Sequence, residues 1–410
     1  MRKEYFGGLD FGSSGVRISI IDCSKKIIYE ASYSYKSQFI KPESWINSCM
    51  ELFKDIPDEI KKYLSRLSIS GTSGTLIPCQ LNGTNLGDAI PYYKKCSSHL
   101  DKLYLISGDN KFLNSPYSSL AKALELIENF GDDILLRHQA DWISGWFLRD
   151  WSLGEEGNNI KLGWDIEKNA WPSTFCSLSL KNCLPSIIKS GKLLGKINQI
   201  VANKLKVNKN LLIIAGTTDS NAAFIASQVK KDEGLTVLGT TIVLKKIIIK
   251  TFSHPGVTIH RVNGDWICGG SSNAGCGILS KFFSDQQIEE LSRQINPYKK
   301  TSLNYLPLNS AGERFPLDDP LLEPLIKPRP VSDALFLQGL FEGLAKIELQ
   351  GWEKLKELTG TLPKKIITIG GGSRNSQWRV IREKMLKIPI INSNKTTSFG
   401  SAIIALSADH

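Results

Sequence analysis

Two short segments of this chain repeat one design. Phe11-Gly12-Ser13-Ser14-Gly15-Val16-Arg17 and Leu238-Gly239-Thr240-Thr241-Ile242-Val243-Leu244 each set a small, hydroxyl-rich turn between two apolar runs. Leu9 and Phe11 lead into the first turn, and Val16, Ile18 and Ile20 leave it, which is the pattern of strand, tight turn, strand. Leu235-Thr236-Val237-Leu238 leads into the second. An echo that opens each half predicts a duplicated α/β unit, with boundaries at 1–228 and 229–410. The length agrees, since 410 residues exceed one comfortable core.

The segments between the echoes fit alternating helices and buried strands. Ser44 to Leu67 carries Trp45, Cys49, Leu52, Phe53, Ile56, Ile60 and Leu64 near helical spacing, broken at Pro57. A strand at Leu67 to Ser70 ends in Gly71-Thr72-Ser73-Gly74-Thr75, and Ser119 to Trp151 reads as mainly helical. Leu211 to Ala215 is a short apolar run of the buried-strand type, ending in Gly216-Thr217-Thr218-Asp219-Ser220 before a helix over Ala222 to Gln228. Val331 to Thr359 is a long amphipathic helix. Ile366 to Ile369 is a strand that runs into Gly370-Gly371-Gly372. A helix from about Gln377, a strand near Ile388 to Asn392 and a helix from Phe399 complete the chain.

Lys plus Arg number 51 against 40 Asp plus Glu, a net charge of +11 that raises the question of a polyanionic partner. The basic residues are scattered doublets such as Lys61-Lys62 and Lys299-Lys300, without a stripe or a zinc-finger spacing. They read as a solvated, Lys-rich surface, with neither nucleic acid nor membrane as partner. Eight cysteines form no CxxC pair, which points to reduced, mostly buried thiols in a cytoplasmic protein. The five histidines (His99, His138, His254, His260, His410) show no HExxH-type spacing. Asp10 interrupts any apolar core after Met1-Arg2-Lys3, so a signal peptide is not expected.

Four places can carry chemistry. The amide groups of the Gly12-Ser13-Ser14 turn can converge on phosphate oxygens, and Asp10 before it can hold Mg²⁺, which prefers oxygen ligands. A bare hairpin turn uses the same residue types. Gly239-Thr240-Thr241 offers a second such concavity. No GxxxxGK[ST] is present and no GxGxxG follows the first strand, which excludes a P-loop and disfavours a Rossmann site. In Gly370-Gly371-Gly372-Ser373-Arg374-Asn375 the glycines let a flat ring approach the backbone, with Asn375 bonding a base and Trp378 covering it. The alternative is a strand-to-helix loop with Asn375 as N-cap and Trp378 in the core. Asp219, between a buried strand and a helix, is either an N-cap or a general base that deprotonates a hydroxyl attacking phosphorus.

Taken in order, Leu-Asp-Phe-Gly-Ser-Ser-Gly-Val-Arg, Ile-Ser-Gly-Thr-Ser-Gly-Thr, Gly-Thr-Thr-Asp-Ser-Asn-Ala-Ala, Leu-Gly-Thr-Thr, Gly-Glu-Arg-Phe-Pro and Gly-Gly-Gly-Ser-Arg-Asn-x-x-Trp resemble the FGGY carbohydrate kinases over nearly the whole chain. The compact length and the segment Asn159-Ile160-Lys161-Leu162-Gly163-Trp164-Asp165 look most like the short cyanobacterial and plant-plastid pentulose kinases, ribulokinase-like proteins once labelled xylulose kinases. The resemblance implies two ribonuclease-H-like (actin-like ATPase) domains around a central cleft. It also implies ATP and Mg²⁺ as cofactors. By motif, Asp10 would lie beside the phosphoryl group, the metal and the acceptor, and Ser13 and Ser14 would fall in the first phosphate turn. Ser73 falls in the loop that contacts the sugar, and Asp219 on the catalytic base. Gly239, Thr240 and Thr241 fall in the second phosphate turn, and Gly371, Gly372 and Asn375 in the adenosine loop. Gly312-Glu313-Arg314 matches a motif with no ligand role to assign. Glu155-Glu156-Gly157-Asn158-Asn159-Ile160 departs from the acidic or Ser-Asp stretch of larger members. The implied activity is ATP-dependent phosphorylation of a ketopentose, D-ribulose first and D-xylulose or a polyol second, by a monomer or homodimer. A non-kinase ATPase switch or a sugar sensor on the same fold is the competing class.

Overall fold

The computed structural model describes residues 3–108, 110, 112–176 and 179–408. Met1, Arg2 and His410 lie outside these residues, as does the Cys176 side chain. The chain divides into two compact units. The first takes the residues up to Ala226, Arg261–Gly264 and the segment from Lys395 on; the second takes Ser227–His260 and Asp265–Asn394. The C-terminal segment, expected with the second half, thus packs in the first unit. Its helix lies directly against the first sheet and holds it more closely than its place in the sequence suggests.

The first sheet contains β1 (Tyr5–Phe11), β2 (Gly15–Ile21), β3 (Ile27–Ser34), β4 (Leu64–Gly71), β5 (Leu193–Lys196) and β6 (Leu212–Thr218) in the order β3-β2-β1-β4-β6-β5. The strands β1, β4 and β6 are parallel neighbours, whereas β2 and β3 form an antiparallel meander from β1. All seven residues of β1 are buried, as expected of a central strand covered on both faces. On α1 (Pro42–Asp55) the apolar stripe of Trp45, Cys49, Leu52 and Phe53 is buried. The helix ends before Pro57, and a new short helix, Asp58–Tyr63, starts after it. The stretch expected to be mainly helical after Ser119 is interrupted by a strand, Leu135–His138, paired antiparallel with Leu76–Cys79; α2 (Gln139–Leu148) follows it. After β6 comes α3 (Asp219–Ala226).

The second sheet contains β7 (Glu233–Leu238), β8 (Ile242–Ile248), β9 (Val257–Val262), β10 (Asp265–Ser271), β11 (Lys365–Ile369) and β12 (Ile390–Asn392) in the order β9-β10-β8-β7-β11-β12. The hairpin β7–β8 takes the central position that β1–β2 takes in the first sheet. Each hairpin has a third antiparallel strand on one side and parallel strands on the other. The sequence echo is therefore a repeat of topology. The long α4 (Asp333–Thr359) is capped by Ser332 and stopped at Gly360, whose φ of 81° suits glycine. With α5 (Ser376–Leu386) it buries Phe336, Leu340, Phe341, Leu344, Trp352 and Trp378 in the second core. The C-terminal helix α6 (Thr397–Ser407) crosses β1 so closely that a Cβ on Gly8 would lie 2.1 Å from Ala402 N. Among the described residues no helix is long and apolar enough to cross a membrane.

Candidate functional site

In the first unit, three parallel strands bring the candidate residues to one sheet end. Asp10 of β1 is in register with Ser70 of β4, and Thr217 and Thr218 of β6 are in register with Ser70 and Gly71. Asp10, the Thr72–Thr75 loop and Asp219 therefore gather at the carboxyl ends of β1, β4 and β6, where open α/β sheets bind ligands. Asp10 is 4% exposed. Burial and the nearby Asp219 charge push its carboxyl up to about 7, against weaker opposing help from Arg17 and Ser70. Ser70 Oγ lies 3.4 Å from Asp10 Oδ1, and Arg17 Nη1 lies 3.8 Å from Oδ2. Asp219 is half-buried and opens α3, and its Oδ1 accepts from Ser220 N at 2.7 Å. Asp219 is the first residue of α3 rather than the residue before it, and its bond to Ser220 N serves the local backbone at a helix start that borders Asp10.

Two carboxylates that repel each other in a buried corner suit a divalent cation. Among the described residues no group of three or more His, Cys, Asp or Glu could hold a metal. Mg²⁺ needs no such cage, because it commonly takes one or two carboxylates together with substrate phosphates. The donor set at Asp10 fits it on that basis.

The raised Asp10 group has a consequence for stability. A carboxyl whose folded pKa is raised contributes stability below its unfolded value of 3.8, and that contribution is lost as pH rises through about 7. The Asp10→Asn variant of the metal-free protein should therefore melt like the parent near pH 4 and above it at pH 8, by about 2–4 kcal/mol. Thermal melting at both pH values checks this; equal transitions at pH 8 would show that Asp10 is not held in a charge-hostile site.

The Gly12-Ser13-Ser14 turn joins β1 to β2, closed by Gly12 N donating to Gly15 O at 2.9 Å, with Ser13 and Ser14 exposed. Ser73 lies in a braced loop. Thr72 N and Oγ1 both donate to Gln139 Oε1, at 2.9 and 2.7 Å, and Lys161 Nζ donates to Ser73 O at 3.1 Å. Beside it the divergent segment becomes a short helix, Glu156–Asn159, capped by the Glu155 carboxylate, which accepts from Gly157 N and Asn158 N. Burial and the adjacent Asp141 push Glu155 well up. Asp141 is itself raised to about 6 by burial, and accepts from Glu155 N and Asn159 Nδ2, both at 2.9 Å. The bracing by Gln139 has no motif signal in the sequence, whereas Lys161 lies in the Asn159–Asp165 segment that carries part of the resemblance.

In the second unit, Gly239, Thr240 and Thr241 form the β7–β8 turn. Its carbonyls are tied back: Cys276 N donates to Gly239 O at 2.8 Å, and Asn309 Nδ2 donates to Thr240 O at 3.0 Å. Gly370-Gly371-Gly372 follows β11. A Cβ on Gly371 would meet nothing within 4 Å, so the backbone is open at that residue, whereas one on Gly370 would lie 2.5 Å from Leu238 O and one on Gly372 2.6 Å from the Trp378 ring. Asn375 is the N-cap of α5. Its Oδ1 accepts from Trp378 N at 2.9 Å and its Nδ2 donates to Ser292 Oγ at 2.7 Å. Trp378 is buried and stacks on Phe341, with ring centroids 5.0 Å apart and planes at 6°. It cannot cover a base, because it is 1% exposed and its ring is stacked on Phe341 in the core. Gly312-Glu313-Arg314 is a clasp. The buried Glu313 carboxylate accepts from Ser272 Oγ, Asn273 N and Arg314 N at 2.5, 2.8 and 2.8 Å, fixing the loop to the end of β10.

The architecture is the two-domain actin-like ATPase fold of the FGGY sugar kinases. No protein-family profile matches the chain. A xylulose kinase of Staphylococcus xylosus is 21% identical, aligned over 98% of this chain and 90% of that protein. A solved xyloylose kinase from Brucella ovis superposes with a TM-score of 0.86 at 19% identity, covering 99% of this chain and 90% of the other. Plasmodium falciparum glycerol kinase, solved with ADP, gives 0.80 at 17%, with 98% and 89% covered. At such identities the likeness carries the fold.

Proposed function

We propose that this chain is a cytoplasmic ATP-dependent carbohydrate kinase whose acceptor is a ketopentose, D-ribulose before D-xylulose. The observation that carries the reading is the corner at the ends of β1, β4 and β6. There the buried Asp10 is perturbed by Asp219 beside a hydroxyl-rich turn. Asp219 takes the proton of the acceptor hydroxyl as its oxygen forms a bond to the γ-phosphorus, and the bond from that phosphorus to the β-phosphate oxygen breaks to leave ADP. Asp10 orients the acceptor and would hold Mg²⁺, which supplies charge neutralisation on the transferring group. In the first unit the Gly12–Ser14 turn offers amide donors to phosphoryl oxygens. In the second unit the candidate nucleotide contacts are the Gly239–Thr241 turn and the open backbone at Gly371, beside Gly372, which packs on Trp378, and Asn375, whose side chain is engaged as the cap of α5. Positioning and electrostatics account for most of catalysis in such transfers.

Ribulose stands first on the motif resemblance; xylulose stands second, being the substrate in the names of similar proteins. The test is coupled ADP release over ketopentoses, ketohexoses and polyols with Mg-ATP. D-Ribulose should give the highest kcat/KM, with a sugar phosphate formed in equal amount. ADP release that ignores the sugar would place the chain among ATPase switches instead.

A further inference from the structure

A hydroxyl-rich turn binds phosphate only if its amide N–H groups point outward, and that depends on where its carbonyls go. In a trans peptide the C=O of one residue and the N–H of the next point in opposite directions. In the second unit, Asn309 and the backbone at Cys276 hold the carbonyls of Thr240 and Gly239 inward. In the first unit one residue holds the corresponding turn. Tyr35 Oη donates to Gly12 O at 2.9 Å, and Tyr35 N donates to Ser14 O at 3.0 Å. The Ser13 N–H, in the same peptide as the Gly12 carbonyl, is thereby turned away from Tyr35, and Ser13 itself is exposed.

Tyr35 is well placed to do this. It follows β3 directly, and its ring stacks on Phe39 at 6.3 Å with planes 24° apart; Phe39 in turn packs on the buried Trp45. The backbone of β3 also closes on the turn: a Cβ on Gly15 would lie 2.4 Å from Tyr33 O. Burial and the neighbouring Asp10 raise the phenol well above its ordinary value, so it remains a protonated donor at any working pH.

We propose that Tyr35 is a positioning residue for phosphoryl transfer, fixing the Gly12 carbonyl so that the Ser13 N–H is aimed at the phosphate. The proposal rests on the kinase reading above, so its test includes a measurement that needs no turnover. Tyr35→Phe keeps the ring stack and the Tyr35 N bond and removes one hydroxyl. Removing a donor aimed directly at developing charge costs about 10²–10³ in rate; misorienting one costs less, about tenfold. The variant should lose about tenfold in kcat, with acceptor KM unchanged and a melting transition within a few degrees of the parent. By calorimetry, its affinity for a non-hydrolysable ATP analogue should fall about tenfold while its affinity for adenosine stays constant. Equal loss for both ligands, or no loss for the triphosphate, overturns the proposal. If the parent protein binds the triphosphate but never phosphorylates a sugar, the kinase reading falls while the calorimetric comparison still decides the role of Tyr35.

Discussion

Asp219→Asn is expected to abolish sugar-dependent ADP release, by about 10³-fold, in a protein that is folded and binds nucleotide. General-base catalysis by a positioned side chain contributes about 10²–10⁴, and an amide cannot take the acceptor proton. The substitution is otherwise mild. Asn retains an oxygen to accept from Ser220 N, so the start of α3 keeps its bond. The residue is half-buried, so no large desolvation change follows. The charge that helps to raise Asp10 disappears, which lets Asp10 ionise more readily. The variant should therefore melt no lower than the parent near neutral pH, with Asp10 still raised by its burial but less so than in the parent. The turnover is what discriminates: Asn caps a helix about as well as Asp, so a purely structural role would leave both stability and turnover unchanged. Turnover within tenfold of the parent on the best pentulose would remove Asp219 from the mechanism.

Much of this corner was legible in the sequence because it is built from strand ends. A buried parallel strand is a short apolar run, and the residues just after it are exposed to any ligand at the sheet edge. Asp10 and Asp219 stand out in the sequence by their places at such strand ends, whereas Ser73 enters only through the family resemblance. What stayed hidden depends on long-range packing. Tyr35 lies in a segment that carries no motif, and only the fold of β3 onto the turn reveals its two bonds to Gly12 and Ser14. Trp378 followed a glycine loop and suggested a base-covering ring, yet its stack on Phe341 depends on α4, far away in sequence. The strand Leu135–His138 escaped notice because its four residues sit between two helices without a strand-length run, and its partner Leu76–Cys79 is distant. The place of α6 in the first unit could not be read from periodicity, which reports that a face is buried but not against what.

Replacing Arg382 by Met should destabilise the second unit by about 3–5 kcal/mol, the range for breaking a buried ion pair from one side. Arg382 and Glu348 are each 1% exposed and pair through two bonds, Nε to Oε2 at 2.6 Å and Nη2 to Oε1 at 2.8 Å. Thr236 Oγ1 donates to Glu348 Oε1 at 2.6 Å, and Arg382 Nη2 donates to Thr368 Oγ1 at 3.0 Å. Without the guanidinium, Glu348 would keep one hydroxyl partner for a buried charge. Arg382→Lys should fall between, because an ammonium cannot reproduce the planar fork. The double variant Arg382→Met/Glu348→Leu should recover part of the loss, since an apolar pair of suitable volume leaves no buried charge. Denaturant unfolding of the parent, Arg382→Met, Glu348→Leu and the double variant yields the coupling energy, and an Arg382→Met loss under about 1 kcal/mol would show that the pair is hydrated in solution. The effect should also reach nucleotide binding. Thr236 lies on β7, which runs into the Gly239 turn, and Thr368 lies on β11, which runs into the glycine loop; Glu348 and Arg382 lie on α4 and α5. One buried cluster thus ties β7, β11 and α5, which flank the two proposed nucleotide loops, to α4, so Arg382→Met should weaken ATP binding although Arg382 is in neither loop.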